Sequence, residues 1–360
     1  MTDQSLSLCS AVNHAITRRI NGDLLALRLR GGGTRVAPLP EALDCSGHTG
    51  IMSYQPEELV VRVRAGTRLR KLQSVLLAQG QQLAADIPVP GPASTVGGAI
   101  AMGTDGPGRF YGNALRDAVL GCQLINGQGE RVTFGGQVMK NVAGYDVPRL
   151  QVGARGTLGL LLDVSLKVVP VPEASLSFSE AISPQHLSAR WLQLHALRPF
   201  LRSALYDGSH LHFVLAGRAQ ALTAKVSAAG LGAHRSSFNW GDVAAWQLPV
   251  FTGESLACMV LPAPLPMDMY QPQWLLDWAA TRVWVANGNH RALAQLAASL
   301  GGFLQVLRGP AVPNLGPGQV HWHRQIKAAF DPHNIFNPVI FHTHFQAASP
   351  LDEGAACRSI

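Results

Sequence analysis

Three glycine clusters in the first 160 residues constrain this chain more than any other feature. They are Gly31-Gly32-Gly33-Thr34, the stretch from Gly91 through Pro92, Thr95 and Val96 to Gly97-Gly98, and Gly153, Gly156 and Gly159 in the run GARGTLG. Sixteen of the 37 glycines fall between Gly91 and Gly159. Glycine serves where backbone bends through positive φ or comes close to a ligand. Three such loops in one half of a chain point to one extended ligand lying across them. A dinucleotide has that length, and its pyrophosphate takes backbone N–H donors.

The glycine spacing excludes two familiar phosphate sites. A nicotinamide-type fingerprint needs G-x-G-x-x-G between a strand and a helix, with an acid further on. Here Gly153-x-x-Gly156-x-x-Gly159 has another spacing and precedes a strand, and no P-loop pattern occurs. Arg30-Gly31-Gly32-Gly33-Thr34 ends a strand and can expose consecutive N–H groups as an anion nest. Thr95-Val96-Gly97-Gly98 opens a short helix, expected over residues 96–102, with little side chain in the way; Gly103 follows it. A Cβ at Gly32 or Gly97 is expected to close the space that phosphates occupy. Lys140, Tyr145 and Asp146 form a polar patch in KNVAGYD.

Periodicity divides the chain. Residues 4–20 read as a helix and 24–29 as a strand. Residues 59–64 alternate, with Val61 and Val63 opposite Arg62 and Arg64, which read as a solvated edge rather than an anion site. Thr67 is expected to cap a helix ended by Gly80. Residues 118–125 and 131–134 read as a hairpin, and 158–169 as a long apolar strand ending at Pro170 and Pro172. Beyond it, strand-like runs (175–178, 210–215, 257–261, 282–286) alternate with helical ones (184–197, 218–229, 291–300). All seven tryptophans lie after residue 190. The expected boundaries are 1–171 for a nucleotide-binding domain and 172–310 for a smaller α/β cap. Residues 311–345 then form a C-terminal helix and a segment returning to the first domain, and 346–360 a disordered tail.

Composition narrows the function. Charged residues make up 14% of the chain, against about 25% in a typical soluble domain. That points to surface hidden around a cofactor or a partner. The net charge of +7 is spread without a basic tract, which excludes a nucleic-acid footprint. Five scattered cysteines show no metal or iron–sulfur spacing, so no metal site is expected. The reading is a reduced, cytoplasmic chain with no export signal and no membrane span.

Taken together, these pieces resemble the FAD-binding domain shared by vanillyl-alcohol oxidase and p-cresol methylhydroxylase. The matches are the Gly31–Thr34 loop, residues 92–103, GNALRD at 112–117, residues 140–146 and GARGTLG with the strand after it. GGQVMKN with KNVAGYD, and FDPHNIFNP near the C-terminus, narrow the resemblance to the shorter FAD-binding subunits of bacterial glycolate oxidases, 2-hydroxy-acid dehydrogenases. The resemblance implies an α+β fold: a two-subdomain FAD-binding domain of that type plus a smaller α/β cap. It implies an FAD contacted by Arg30, Gly31, Gly32, Gly33, Thr34, Pro92, Thr95, Val96, Gly97, Gly98, Gly103, Lys140, Tyr145, Gly153, Gly156, Thr157 and Gly159. Many relatives place a histidine, bonded to the flavin, just after the first glycine loop. This chain has Thr34 and Arg35, so FAD is expected to be non-covalent.

Oxidising a 2-hydroxy acid needs a carboxylate anchor, a base and a hydride acceptor. The family's histidine-containing cap motif is absent here, and no catalytic residue is assigned. His321 and His323, two apart on a helix, point in different directions and read as surface or packing residues. The resemblance therefore implies a companion role between a catalytic flavoprotein subunit and an iron–sulfur subunit, with any membrane attachment at the inner face made through partners. Two alternatives remain open at this stage. One is a self-sufficient flavin oxidoreductase using Arg282, His290 or Arg291 on a hydroxy acid, aldehyde or sugar lactone. The other is a flavin-free structural subunit.

Overall fold

Residues 2–23, 26–36, 41–136, 145–313, 315 and 317–345 are described by the structure, a computed structural model. Helix α1 (Ser5–Ile20) buries Leu8, Val12, Ala15 and Ile16, the stripe its 3.6-residue period sets up. Strand β1 (Leu29–Arg30) runs parallel to β2 (Leu43–Asp44). Of the strand expected over residues 24–29, residues 24 and 25 lie outside the described residues, and Leu27 is bridged to Phe336 from the C-terminal segment.

Strands β3 (Ile51–Gln55) and β4 (Val60–Arg64) form an antiparallel pair. Val61 and Val63 point inward as their alternation predicts. Arg62 and Arg64 are not merely solvated: Arg62 Nε donates to Asp163 at 2.7 Å and Arg64 to Asp3 at 2.8 Å. Helix α2 (Leu69–Leu77) buries Leu69, Leu72 and Leu76. Its N-cap is Arg68 rather than Thr67, whose hydroxyl accepts from the Gly50 amide at 2.9 Å instead.

After β5 (Gln81–Leu83) come the short helices α3 (Val96–Met102) and α4 (Leu115–Ala118). The hairpin β6 (Val119–Ile125) and β7 (Arg131–Gly135) is followed by α5 (Val147–Leu150) and β8 (Leu160–Pro170). The sheet order is β3-β4-β8-β6-β7, with β5 also pairing β8. The long apolar strand thus takes the centre, where even-numbered residues from Leu160 to Val168 are buried.

The next strand, β9 (Ala174–Ala181), belongs to another sheet. Along the chain follow α6 (Pro184–His195), β10 (Leu201–Tyr206), β11 (His210–Gly217), α7 (Ala219–Ala228) and α8 (Trp240–Ala244). Then come β12 (Leu256–Val260), β13 (Leu275–Asp277), β14 (Arg282–Ala286), α9 (His290–Ser299) and β15 (Phe303–Arg308). All seven strands pair antiparallel in the order β15-β12-β14-β13-β10-β11-β9.

Both faces of this sheet are covered, so β12 and β14 read as continuous apolar runs. Ala257, Met259, Val283 and Val285 join one core with Trp191 and Trp274; Leu256, Cys258 and Trp284 join the other with Trp246 and Phe251. The chain returns through α10 (Pro317–Phe330) and α11 (Pro338–Phe345). Ile335 and Phe336 pack against α1 and β8.

The two sheets meet through specific bonds. Trp278 Nε1 donates to Gly106 O at 2.9 Å, Arg282 Nη1 to Asp105 O at 2.7 Å, and Arg155 Nη2 to Val306 O at 2.9 Å.

Candidate cofactor site

The three glycine clusters converge in space. A Cβ on Gly31 would lie 2.7 Å from Thr95 Oγ1, and the Thr34 and Ser94 hydroxyls are 2.8 Å apart. The first loop therefore lies against the entry to α3. Gly103, at the end of α3, packs on Gly153, and Gly156 packs on Leu29 and Asn337. Between these segments lies a cavity, roofed by the end of β15.

Arg30, Gly31, Gly32, Gly33, Thr34, Thr95, Gly97, Gly98, Gly156 and Gly159 line that cavity. Pro92, Val96, Gly103, Gly153 and Thr157 do not line it. Val96 and Thr157 are buried, and the Thr157 hydroxyl is spent on Ala154 O at 2.6 Å. Tyr145 is 90% exposed and away from the cavity. Lys140 lies outside the described residues.

The structure separates two kinds of glycine. A Cβ on Gly32 would sit 1.8 Å from Ala93 O, and one on Gly97 2.7 Å from Ala65 Cβ. These glycines are required by contact between protein segments, before any phosphate is considered. That corrects the reason expected from sequence. Gly33, by contrast, has φ +64 and no neighbour within 4 Å; it shapes the loop.

Amide accounting distinguishes the first loop from the second. The N-terminal amides of α3 are spent internally: Val96 N–H on Thr67 O, Gly97 N–H on Ala65 O and Gly98 N–H on Thr95 Oγ1. The amides of residues 31–35 donate to no protein acceptor among the described residues. Five consecutive donors without acceptors among the described residues suit a diphosphate.

The charge of the wall agrees. Arg30, Arg35, Arg155 and Arg308 line the cavity, with no carboxylate on its wall among the described residues. Arg35 is buried, donating to Thr104 Oγ1 at 3.0 Å and to Pro88 O, with no ion pair among the described residues. Burial pushes Arg35 and Arg155 down to about 10, which leaves both cationic at neutral pH. The side-chain nitrogen of Gln151 and Nε of Arg308, both on the wall, are buried without acceptors. Protein interiors rarely leave such donors unpaired, so a ligand rich in acceptors fits. Sequence reading missed Gln151, Arg155, Arg308 and Asn337. Arg155 stands inside the third glycine cluster and was within reach; Arg308 and Asn337 arrive by tertiary folding.

A second cavity lies between the two sheets, walled by Asp86, Asp105, Asp277, Arg282, Trp240, Trp246 and Trp284. Arg282 is committed within it. It grips Asp277 with two guanidinium nitrogens and stacks on Trp278 with its guanidinium carbon 3.7 Å from the ring centre. His290 bonds Pro310 O through Nδ1 at 2.6 Å, Arg291 is exposed, and neither lines either cavity. His321 and His323 on α10 line neither cavity. No helix among the described residues is long and apolar enough to cross a membrane.

The comparisons with known proteins agree with this geometry. A family model described as FAD binding domain matches residues 14–135. Glycolate oxidase subunit GlcE of Escherichia coli (strain K12) is 34% identical over 346 residues, covering 93% of this chain and 97% of that protein. Glycolate oxidase subunit GlcD of Bacillus subtilis (strain 168) is 35% identical over 169 residues, 47% of this chain and 34% of that one. Among solved structures, alkyldihydroxyacetonephosphate synthase superposes with a TM-score of 0.62 at 15% identity, over 91% of this chain and 73% of that one. The fold is the α+β FAD-binding fold of the vanillyl-alcohol oxidase and p-cresol methylhydroxylase type, and the cofactor is FAD. This chain is a flavoprotein of the oxidoreductases and belongs to the family of the glycolate oxidase subunit GlcE.

Proposed function

We propose that this chain is the companion FAD-binding subunit of a glycolate dehydrogenase. It holds FAD non-covalently in the cavity between the glycine loops and β15. It passes electrons or supports assembly between a catalytic flavoprotein subunit and an iron–sulfur subunit. Bound FAD supplies an acceptor for a hydride or for single electrons. The residues of this chain bind and enclose it: the amides of 31–35 and the arginines of the wall receive the diphosphate, and β15 roofs the cavity.

The observation that carries the companion role is the state of Arg282. A hydroxy-acid substrate needs a free cation to anchor its carboxylate. The Arg282 charge is already satisfied by Asp277, and Asp86 and Asp105 share the same cavity. Among the described residues, that cavity offers a carboxylate no unpaired cation. Non-covalent attachment is supported by the wall chemistry. Thr34 and Arg35 are poor nucleophiles, and burial pushes the Cys45 thiol, also on the wall, up to about 12.

Purification with and without co-expressed partners tests the reading. The expected result is a yellow chain with one FAD that reduces no dye with glycolate when alone, co-purifies with a second flavoprotein and an iron–sulfur protein, and precipitates colourless on denaturation. Turnover of glycolate by the isolated chain overturns the companion role. A yellow denatured pellet overturns non-covalent binding, and a colourless native chain overturns the cofactor role.

A further inference from the structure

We propose that Gln151 and Arg308 form a clamp on the cofactor, one donor from each sheet-bearing half, so that the cap serves to retain FAD. This rests on placing FAD in the glycine-loop cavity. Gln151 is 4% exposed, yet its side-chain nitrogen has no acceptor among the described residues. Arg308 spends Nη2 on Phe251 O, while its Nε is buried and unpaired. Both residues line the same cavity.

Each donor is presented by a fixed element. The Gln151 amide closes the turn of α5 on Val147 O at 3.1 Å, and its own carbonyl accepts from the Ala154 amide at 3.2 Å. Arg308 is in register with Leu256 at the end of β15. The Arg155–Val306 hydrogen bond ties the two walls together beside them. Two buried donors held on rigid supports, without partners among the described residues, are preorganised for acceptors from a ligand. The phosphate, ribityl and ring acceptors of a flavin dinucleotide are of that kind. Without FAD, both donors pay the full desolvation cost of unmade bonds.

The test uses the full chain stripped of flavin, with FAD affinity read by flavin fluorescence and thermal midpoints read with and without FAD. Gln151→Met and Arg308→Met remove the donors and keep most of the volume. Each is expected to weaken FAD binding by roughly tenfold, while the flavin-free midpoint stays level or rises. Hydrogen exchange on the unaltered chain reports the placement separately, through protection of the amides of residues 31–35 on adding FAD. Protection there together with weakened variants supports the clamp. Protection with variant affinities within twofold of the parent overturns it, as does a flavin-free midpoint that falls in step with affinity. No protection at 31–35 overturns the placement and the clamp with it.

Discussion

Lys327 Nζ lies 2.5 Å from Asp331 Oδ2, one helical turn further on, and both side chains are buried. Nζ also donates to Thr157 O at 2.7 Å and to Phe336 O at 2.8 Å. Asp331 accepts from the amides of Ile335 and Phe336. This pair explains the FDPHNIFNP segment: it fixes the return of the chain, so that Asn337 can accept from the Leu29 amide and donate to Arg155 O. Two glycine loops are thereby tied to the C-terminus.

Lys327→Met should destabilise the protein by about 3–5 kcal/mol, because it strands a buried carboxylate. FAD affinity should fall with it, since Asn337 lines the cavity. Urea denaturation and flavin titration check both. An unchanged denaturation midpoint would remove the pair from the account.

Stability should fall between roughly pH 4 and pH 6 through Asp105. Burial raises its carboxyl from 3.8 to about 6 in the folded state, against the opposing Leu115 amide and Arg109. Its folded pKa is the higher one, so the folded protein holds the proton longer. The stabilisation is present below about pH 4 and is lost as pH rises through about 6. At 1.36 kcal/mol per unit the loss is about 3 kcal/mol. Asp105→Asn should flatten that part of the profile, as read by thermal midpoints from pH 4 to 7. An identical slope in the variant counts against the assignment.

Neighbouring glycines should respond differently to alanine. Gly32→Ala drives a Cβ into the Ala93 carbonyl, which also accepts from Arg68, so backbone must move. Gly33→Ala meets only its own positive φ, at about 1–2 kcal/mol. The flavin-free midpoint should therefore drop further for Gly32→Ala than for Gly33→Ala. The reverse order would contradict the loop packing.

Arg282→Met should cost about 3–5 kcal/mol by leaving Asp277, 1% exposed, without its cation. Adding Asp277→Leu should recover part of that loss. A double-mutant cycle on chemical unfolding measures the coupling, and additive single effects would mean that the pair does not act as a unit.

Much of the first domain could be read from pattern. The helix over residues 4–20, the alternation at Val61 and Val63, the hairpin after residue 118 and the strand ended by Pro170 all carry local signals. What was hidden depends on distant partners. Strands β10, β13 and β15 lack a distinguishing period once both faces of their sheet are buried. Helix α11, after Pro338, was not anticipated. In the site, the nest at residues 31–35 was visible as glycine. Arg308 was not, because nothing near Val306 and Leu307 announces that the strand ends beside residues some 150 positions earlier. The α3 amides, which the sequence offers to a phosphate, are already bonded to Thr67, Ala65 and Thr95, and no local signal announces those partners.

The Arg155–Val306 bond places a seam of the molecule directly over the glycine-loop cavity. A fragment severed after Pro170 would keep every glycine loop and still present an open trough. Attempts to borrow this flavin module for fusion proteins should carry the tryptophan-rich half along with it.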